Sequence, residues 1–137
     1  MSAEVHVAAE GAVVKTHVLV VDDEPDLEAL VQQRFRKGIK SGAYSFVFAR
    51  NGLEALRALG AHPEVEVVLT DLNMPGMSGL ELLAKVRSVY TELPVVMISA
   101  YGDAETQQRA RDLGARDFVS KPIDFERIRE HVLGDAP

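Results

Sequence analysis

The chain has 137 residues, a formal net charge of −6, and 47% hydrophobic against 26% charged residues. This length suits a single domain, and the acidic balance argues against broad nucleic-acid binding, which normally leaves a basic footprint. The absence of cysteine excludes a disulfide framework and a thiolate metal site. No apolar run reaches the roughly 18 residues that a membrane span requires, so we expect a cytoplasmic protein.

The chain begins with a segment that matches no targeting signal. Its first residues, MSAEVHVAAEGAVVK, lack the basic start and long apolar stretch of a secretory signal peptide. We expect residues 1–15 to be a flexible extension, residues 16–134 to form one domain, and residues 135–137 to be a short tail. No linker or appended effector domain is expected within the chain.

The first half of the chain alternates two predicted strands with two predicted helices. Short runs rich in valine and phenylalanine predict strands at residues 17–22 and 44–49. The spacing i, i+3, i+4, i+7, i+8 predicts the first helix, with the members Leu27, Leu30, Val31, Arg34 and Phe35. The second helix is indicated by Leu53, Leu56 and Leu59. Asn51 and Glu54 have the spacing of a capping box at its start, and Gly60 is placed to end it.

The second half continues the same alternation. Strands are predicted at residues 66–71, 94–100 and 115–120. The third helix is indicated by Leu80, Leu83 and Val86, together with the polar Arg87. The fifth helix is indicated by Phe125, Ile128 and Val132. The fourth, residues 103–113, has few large apolar side chains, so we expect it to pack least tightly. Predicted boundary residues are Ser78 with Glu81, Asp103 and Asp124 at helix starts, and Gly114 at a helix end.

Five strands alternating with five helices indicate an α/β fold. Near-continuous hydrophobic strands joined by helices form parallel sheets that are covered on both faces. Right-handed crossovers make such a sheet doubly wound. The sequence therefore predicts a doubly wound five-stranded parallel sheet, for which we take the flavodoxin-like order 2-1-3-4-5.

Acidic residues follow two strands that this order makes neighbours. Asp22 and Asp23 end the first strand, and Asp71 ends the third. Neighbouring strands lie about 4.8 Å apart, and two unit charges at 4 Å repel by roughly 4 kcal/mol at an effective dielectric of 20. Proteins relieve such crowding by raising a pKa, adding a cationic side chain or binding a metal, and carboxylate oxygens with room for water suit Mg²⁺.

An amine and a hydroxyl are predicted at the same edge of the sheet. Lys121 follows the fifth strand and Ser99 ends the fourth. Carboxylates, a divalent cation and an amine suit phosphoryl transfer, in which positioning and charge neutralisation supply most of the catalysis. A carboxylate can itself accept the phosphoryl group.

Four segments at these strand ends carry a family resemblance. VVDDE, TDLNMPGMSG, ISA and FVSKP occur in this order, and together they resemble the signatures of the response-regulator receiver domain of the CheY-like superfamily. The resemblance extends from His17 to about Leu133. Each segment alone has modest specificity, whereas the four together on the alternating pattern are highly specific.

The resemblance implies a role for each matching residue. Asp71 matches the phosphoacceptor, Asp23 the direct ligand of Mg²⁺ (or Mn²⁺), and Asp22 a ligand that acts mainly through water. Asn73 matches the residue whose backbone carbonyl completes the metal site. Lys121 matches the lysine that pairs with the phosphoryl group, and Pro122 after it is often on a cis bond in the family. Ser99 and Phe118 match the switch residues, and the loop positions are Pro75, Gly76 and Gly79. The family often has tyrosine at the position of Phe118, so a readout through a tyrosine hydroxyl is absent here.

The implied function is a phosphorylation-dependent signalling switch of a two-component system. The phosphodonor would be a sensor histidine kinase or a phosphotransfer protein. Phosphorylation would change the surface of the fourth helix, fifth strand and fifth helix for a downstream protein partner or a homodimer. The protein would catalyse its own phosphorylation and slow dephosphorylation without being a dedicated enzyme, and neither nucleic acid nor membrane is an expected partner.

Other interpretations remain open at this point. The chain is either a stand-alone receiver or the N-terminal receiver of a longer effector protein, and a phosphorylation-independent interaction module is a further alternative. A phosphohydrolase of the haloacid-dehalogenase type is disfavoured, because Asn73 stands where that class needs a second acid. The basic stretch Arg34, Arg36, Lys37 and Lys40 is interpreted by default as a solvated helix end, with partner docking as the alternative.

Overall fold

The structure, a computed structural model, describes residues 5–7, 16–100 and 102–129. Its strands are β1 (Val5–Val7), β2 (Thr16–Val21), β3 (Tyr44–Ala49), β4 (Val67–Asp71), β5 (Val95–Ser99) and β6 (Asp117–Ser120). Its helices are α1 (Pro25–Arg34), α2 (Arg36–Ser41), α3 (Gly52–Ala61), α4 (Gly79–Val89), α5 (Ala104–Asp112) and α6 (Phe125–Arg127). None of the helices in this described part is long and apolar enough to cross a membrane.

The sheet has the strand order β1-β3-β2-β4-β5-β6. From β3 to β6 the neighbouring strands are all parallel, which confirms the predicted doubly wound order 2-1-3-4-5. Side chains that alternate along β2 enter opposite cores: Leu19 and Val21 pack in one, and Val18 and Val20 in the other. The central strands are buried on both faces, as their continuous apolar runs predict.

One strand was not predicted. Val5–Val7 pairs antiparallel with β3, with Val5 opposite Phe48 and Val7 opposite Phe46. A flexible extension over residues 1–15 does not account for this strand. Its physical basis is that β3 would otherwise be an edge strand with a row of unpaired backbone groups. The rest of residues 1–15 lies outside the described residues.

The first predicted helix is two helices in the structure. α1 ends at Arg34 and α2 begins at Arg36, with Phe35 between them at φ −104° and ψ 16°. Phe35 is buried, and its ring lies 5.2 Å from that of Tyr44 and 5.3 Å from that of Phe46. The sequence predicts a single first helix that carries the basic stretch at its end, whereas the structure divides it at Phe35, so the described residues contain six helices rather than five. Spacing alone does not show where the backbone breaks its regular geometry.

Most of the predicted helix boundaries are confirmed. Ser78 and Glu81 form a complete capping box, the side chains of Asp103 and Asp124 cap their helices, and Gly114 has a φ of 98°.

The boundaries of α3 differ from the prediction. Asn51 accepts the N–H of Glu54, but the Glu54 carboxylate accepts the N–H of Arg50 rather than that of Asn51. Gly60 lies inside α3, which ends at Ala61, so the prediction that Gly60 ends this helix was wrong. One glycine costs a helix only about 1 kcal/mol, which neighbouring residues offset.

The last two helices pack to different extents. In α5 only Ala110 is buried, which agrees with the weak packing expected of this helix. Ile128, directly after α6, is buried in the core on the side of Phe35. Val132, the last member of the predicted fifth helix, lies outside the described residues.

Candidate functional site

Three acidic side chains meet at the carboxyl edge of the sheet. β2 and β4 are parallel neighbours with Val21 opposite Thr70, so the residues that follow these two reach the same edge. Asp22, Asp23 and Asp71 each offer a carboxylate oxygen, and these atoms lie within 4.8 Å of one another. The strand register therefore brings together acids that are far apart in the sequence.

The three carboxylates differ in their contact with solvent. Asp22 and Asp71 are 5% and 7% exposed, whereas Asp23 is exposed. A donor set of hard oxygens with one side open to water fits a divalent cation such as Mg²⁺, which prefers oxygen ligands and keeps several waters. The chemistry of these residues is thus compatible with a magnesium site.

Lys121 brings a positive charge to the same place. Its Nζ lies 3.5 Å from Oδ2 of Asp22 and 3.7 Å from Oδ1 of Asp71. The backbone N–H of Lys121 donates to the carbonyl of Ser99 at 2.9 Å, and the bond between Lys121 and Pro122 is cis. The pairing of β6 with β5 therefore delivers the amine across the acid cluster.

The acids and the lysine change one another's protonation. Burial raises the pKa of Asp71 above its ordinary value; the charge of Asp22 adds to the rise, and the charge of Lys121 opposes it. Burial alone would lower the pKa of Lys121, but the charges of Asp22 and Asp71 outweigh it, so this pKa is raised. Lys121 is consequently held in its charged form beside the two buried carboxylates.

A second cation, Arg50, lines a small cavity together with Asp22, and no motif in the sequence pointed to it. Arg50 Nη2 lies 3.3 Å from Oε2 of Glu28, and both residues line a cavity of about 10 Å³ together with Asp22 and Glu24. The N–H of Glu24 donates to Oδ1 of Asp22 at 2.8 Å. The Glu24 N–H thus contacts one oxygen of the Asp22 carboxylate, and Lys121 contacts the other.

Ser99 lies next to the acid cluster in the sheet, and Phe118 lies one strand further out, opposite Met97. Ser99 ends β5, follows the residue paired with Asp71, and is fully buried. Phe118 in β6 is 6% exposed, and a Cβ at Gly102 would lie only 2.6 Å from its ring. The aromatic ring therefore points inward and occupies space that a larger residue at position 102 would take.

The loop after Asp71 is shaped by its glycines. Gly76 has a φ of 79°, in the left-handed region that favours glycine. Gly79 begins α4, and a Cβ there would collide with the backbone carbonyl of Asp71. Asn73 and Pro75 are exposed, and the backbone N–H of Asn73 lowers the pKa of Asp71 against the dominant effect of burial.

A groove of about 350 Å³ opens beside the acid cluster, between α1 and the segment joining β6 to α6. Asp22 and Lys121 form its inner end, and Leu30, which is 44% exposed, lies on its outer wall. Leu30 belongs to the helical spacing that predicts the first helix, and that spacing gives no sign of a groove. Sequence spacing cannot separate a core position from one at the edge of the core.

A second cavity, of about 500 Å³, lies away from the acid cluster. It is formed where α3 leads into β4 and where α4 leads into β5, and it is lined by Leu59, Val65, Tyr90 and Leu93 among others. None of the clustered acids lines it, so it has no direct part in chemistry at Asp71.

Comparison with known proteins agrees with the geometry. Residues 18–133 match the family described as response regulator receiver domain. The response regulator protein PilR of Pseudomonas aeruginosa is 40% identical over 83% of this chain, which spans only 24% of PilR. Sporulation initiation phosphotransferase F of Bacillus subtilis is 32% identical over 88% of this chain and 93% of that protein.

A solved structure shares the fold closely. It is the complex of CheX with CheY, BeF3 and Mg²⁺ from Borrelia burgdorferi. The match has a TM-score of 0.77 at 27% identity and covers 88% of this chain and 89% of that chain.

Proposed function

The chain belongs to the response regulator receiver domain family of two-component systems, and on that premise we propose that Asp71 accepts a phosphoryl group and so switches the protein between two signalling states. The observation that carries the proposal is the placement of Lys121 across a cluster of three carboxylates. Such a site neutralises the charge of a transferred phosphoryl group from two sides.

The chemical step is a displacement at phosphorus. A carboxylate oxygen of Asp71 attacks the phosphorus of a phosphohistidine on the donor; the P–O bond forms as the P–N bond breaks. The imidazole leaves with the electron pair and takes a proton from solvent. Lys121 stays protonated throughout, because the charges of Asp22 and Asp71 outweigh burial and raise its pKa, so it pairs with a phosphoryl oxygen.

A divalent cation is part of this proposal. Bound Mg²⁺ or Mn²⁺ supplies positive charge for the phosphoryl oxygens, and its proposed ligands are Asp22, Asp23, Asp71 and the backbone carbonyl of Asn73. The fit rests on the hard oxygen donors within 4.8 Å of one another. The CheY relative named above was solved with Mg²⁺ and BeF3, which supports the same donor chemistry here.

The switch proposed for the phosphorylated state runs through Ser99 and Phe118. The acyl phosphate brings roughly two negative charges to a site that the register of β4 and β5 places beside Ser99. Movement of Ser99 and its loop toward the phosphoryl group would change the space available to the Phe118 ring, which lies against Gly102. The surface of α5, β6 and α6 then changes, and this surface is the proposed binding site of a downstream protein partner or of a second copy of the chain. A partner that prefers the changed surface shifts the equilibrium further toward the phosphorylated conformation.

The groove beside the acid cluster is the proposed docking site of the phosphodonor, a histidine kinase or phosphotransfer protein. It leads directly to Asp22 and Lys121, and it exposes the side chain of Leu30. A donor helix laid along α1 would bury Leu30 and bring a phosphohistidine to Asp71. We place this exchange in the cytoplasm, where the ATP that charges such donors is available.

The test is the intact mass of the protein after incubation with acetyl phosphate and Mg²⁺. The wild type should gain one phosphoryl group, and chelation of the metal should prevent the gain. Asp71→Asn should gain nothing, whereas Asp112→Asn, a matched change at an exposed position on α5, should label like the wild type.

The outcomes separate the candidate functions. Labelling of Asp71→Asn would show that another residue accepts the phosphoryl group. No labelling of a folded wild type would favour a phosphorylation-independent interaction module.

A further inference from the structure

A group of basic side chains lies on α2 and the end of α1, outside the acid site. Arg34, Arg36, Lys37 and Lys40 are all exposed, and we name them the cationic face. The sequence contains no acidic residue between Glu28 and Glu54. Among the described residues, Arg36, Lys37 and Lys40 form no ion pair. Their positive charges are therefore not neutralised within this part of the chain.

The arrangement of these charges does not stabilise the helix that carries them. Arg36 and Lys40 are four residues apart on α2, and Lys37 and Lys40 are three apart, so they are neighbours on one side of the helix. Like charges at these spacings destabilise a helix by a few tenths of a kcal/mol per pair. Only Lys40 lies in the last turn, where the helix dipole favours a cation. The default interpretation, a solvated helix end, thus explains one of the three positions on α2.

The backbone beneath the cationic face is held rigidly. Phe35 is buried in an aromatic cluster, and a Cβ at Gly38 would collide with the ring of Tyr44. Gly42 ends α2 at φ 84°, with the N–H of Ala43 donating to the carbonyl of Gly38 at 2.7 Å. A partner would therefore meet charges on a preformed surface, which lowers the entropic cost of binding.

The cationic face is continuous with the groove beside the acid cluster. Arg34 lines this groove, and its guanidinium lies 5.3 Å from the centroid of the Phe125 ring. Arg36, Lys37 and Lys40 follow on α2 and are not among the residues that line the groove. A molecule bound along α1 could thus touch the cationic face without reaching the acid cluster.

We propose that the cationic face binds an acidic segment of a protein partner. The positions from Arg36 to Lys40 span only about 6 Å along the axis of α2, within the roughly 8 Å over which salt screens exposed charges. Without these four cations the chain's formal charge of −6 would be −10. A long polyanion such as nucleic acid would extend beyond the cationic face and be repelled by the negative charge of the rest of the chain. A short acidic segment would contact the cationic face alone.

The test is an NMR titration of the ¹⁵N-labelled full chain with a decaglutamate peptide at low salt. Backbone amide shifts should be confined to residues 34–43, and they should fade as salt is added, as for exposed charges. The triple variant Arg36→Gln, Lys37→Gln, Lys40→Gln should bind at least about threefold more weakly. If that variant does not fold, the single change Lys37→Glu takes its place.

A matched control keeps the net charge of the triple variant. The changes Arg57→Gln, Lys85→Gln and Arg109→Gln remove three exposed cations on other helices and should leave peptide binding unchanged. Absence of shifts, or equal losses in the two triple variants, would overturn the proposal. Tighter binding of a 12-base-pair DNA duplex, or of vesicles containing phosphatidylserine, to the same residues would also overturn it. Both triple variants should still label at Asp71 with acetyl phosphate, so this result is independent of the test of phosphoacceptor function.

Discussion

The Nζ of Lys121 lies 3.7 Å from Oδ1 of Asp71. Asp71 ends β4 and Lys121 follows β6, and β5 lies between these two strands. The amine also lies 3.5 Å from Asp22, so one cation is shared by two buried acids. This sharing makes Lys121 the natural partner for a phosphoryl group on Asp71, and it makes the three charges interdependent.

Lys121→Gln should slow labelling by acetyl phosphate while leaving the acceptor carboxylate in place. A hydrogen bond to a charged group is worth about 1.5–3 kcal/mol, so we expect a decrease in rate of at least about tenfold. The measurement is the time course of intact mass in the presence of Mg²⁺. Lys85→Gln, at an exposed position on α4, is the matched control and should label at the wild-type rate. Equal rates for the two variants would exclude a role for Lys121 in the transfer.

The pH dependence of stability should show the cost of burying Asp71. Burial, followed by the charge of Asp22, raises the pKa of Asp71 above its ordinary 3.8, against the opposing charge of Lys121. The folded state then binds this proton more tightly than the unfolded chain, so stability falls as pH rises from the unfolded pKa through the folded pKa. Asp71→Asn, which cannot ionise, should therefore have a higher urea midpoint than the wild type at pH 7 in metal-free buffer.

The same difference should shrink below the unfolded pKa, because the wild-type carboxyl is then protonated in both states. Asp112→Asn, which replaces an exposed carboxylate on α5, is the matched control. A gain for Asp71→Asn that is the same at pH 7 and at low pH would show that lost charge is not its cause.

Arg87 should stabilise the ends of two helices at once. Its Nη1 donates to the carbonyls of Tyr90 and Thr91 at 3.2 and 2.8 Å, and its Nη2 donates to that of Gly114 at 3.2 Å. Arg87→Ala leaves these carbonyls without that donor and should lower the free energy of unfolding by about 1–3 kcal/mol, measured by urea denaturation. Lys85→Ala, two residues earlier and exposed, should stay within about 0.5 kcal/mol of the wild type. Equal effects would contradict the assigned role.

Two glycine substitutions should change stability in opposite directions. A Cβ at Gly60, inside α3, would have no neighbour within 4 Å, so Gly60→Ala should stabilise the protein by roughly 0.5–1 kcal/mol. A Cβ at Gly102 would lie 2.6 Å from the ring of Phe118, so Gly102→Ala should destabilise it by about 1–3 kcal/mol. Urea denaturation measures both effects, and the ring resonances of Phe118 should move only in Gly102→Ala. A stabilising Gly102→Ala would show that the ring is free to move aside.

The sequence contains enough information to predict the sheet order and the main components of the site. Apolar runs end at Asp22, Asp71 and Ser99, and parallel strands have their carboxyl ends at one edge. Their convergence therefore follows from strand order alone. The capping residues Ser78, Asp103 and Asp124 were also predictable, because a cap depends on residues only two or three positions away.

Features that depend on several elements at once were decided by the tertiary structure. The break at Phe35 follows from its packing against Tyr44 and Phe46, and the pairing of β1 with β3 follows from an edge that exists only once the sheet has formed. The extension of α3 past Gly60 likewise overrides a weak local preference.

The site shows the same division between local and long-range information. The sequence by itself determined which carboxylates and which amine lie at the carboxyl ends of strands, because the hydrophobic runs mark where each strand ends, and the receiver resemblance supplied the strand order. Only the tertiary structure decided that Asp71 is buried while Asp23 is exposed, that Arg50 and Glu28 lie beside Asp22, and that Leu30 borders an open groove. Burial and the distances between charges depend on how distant segments pack, and these quantities set pKa values and binding surfaces.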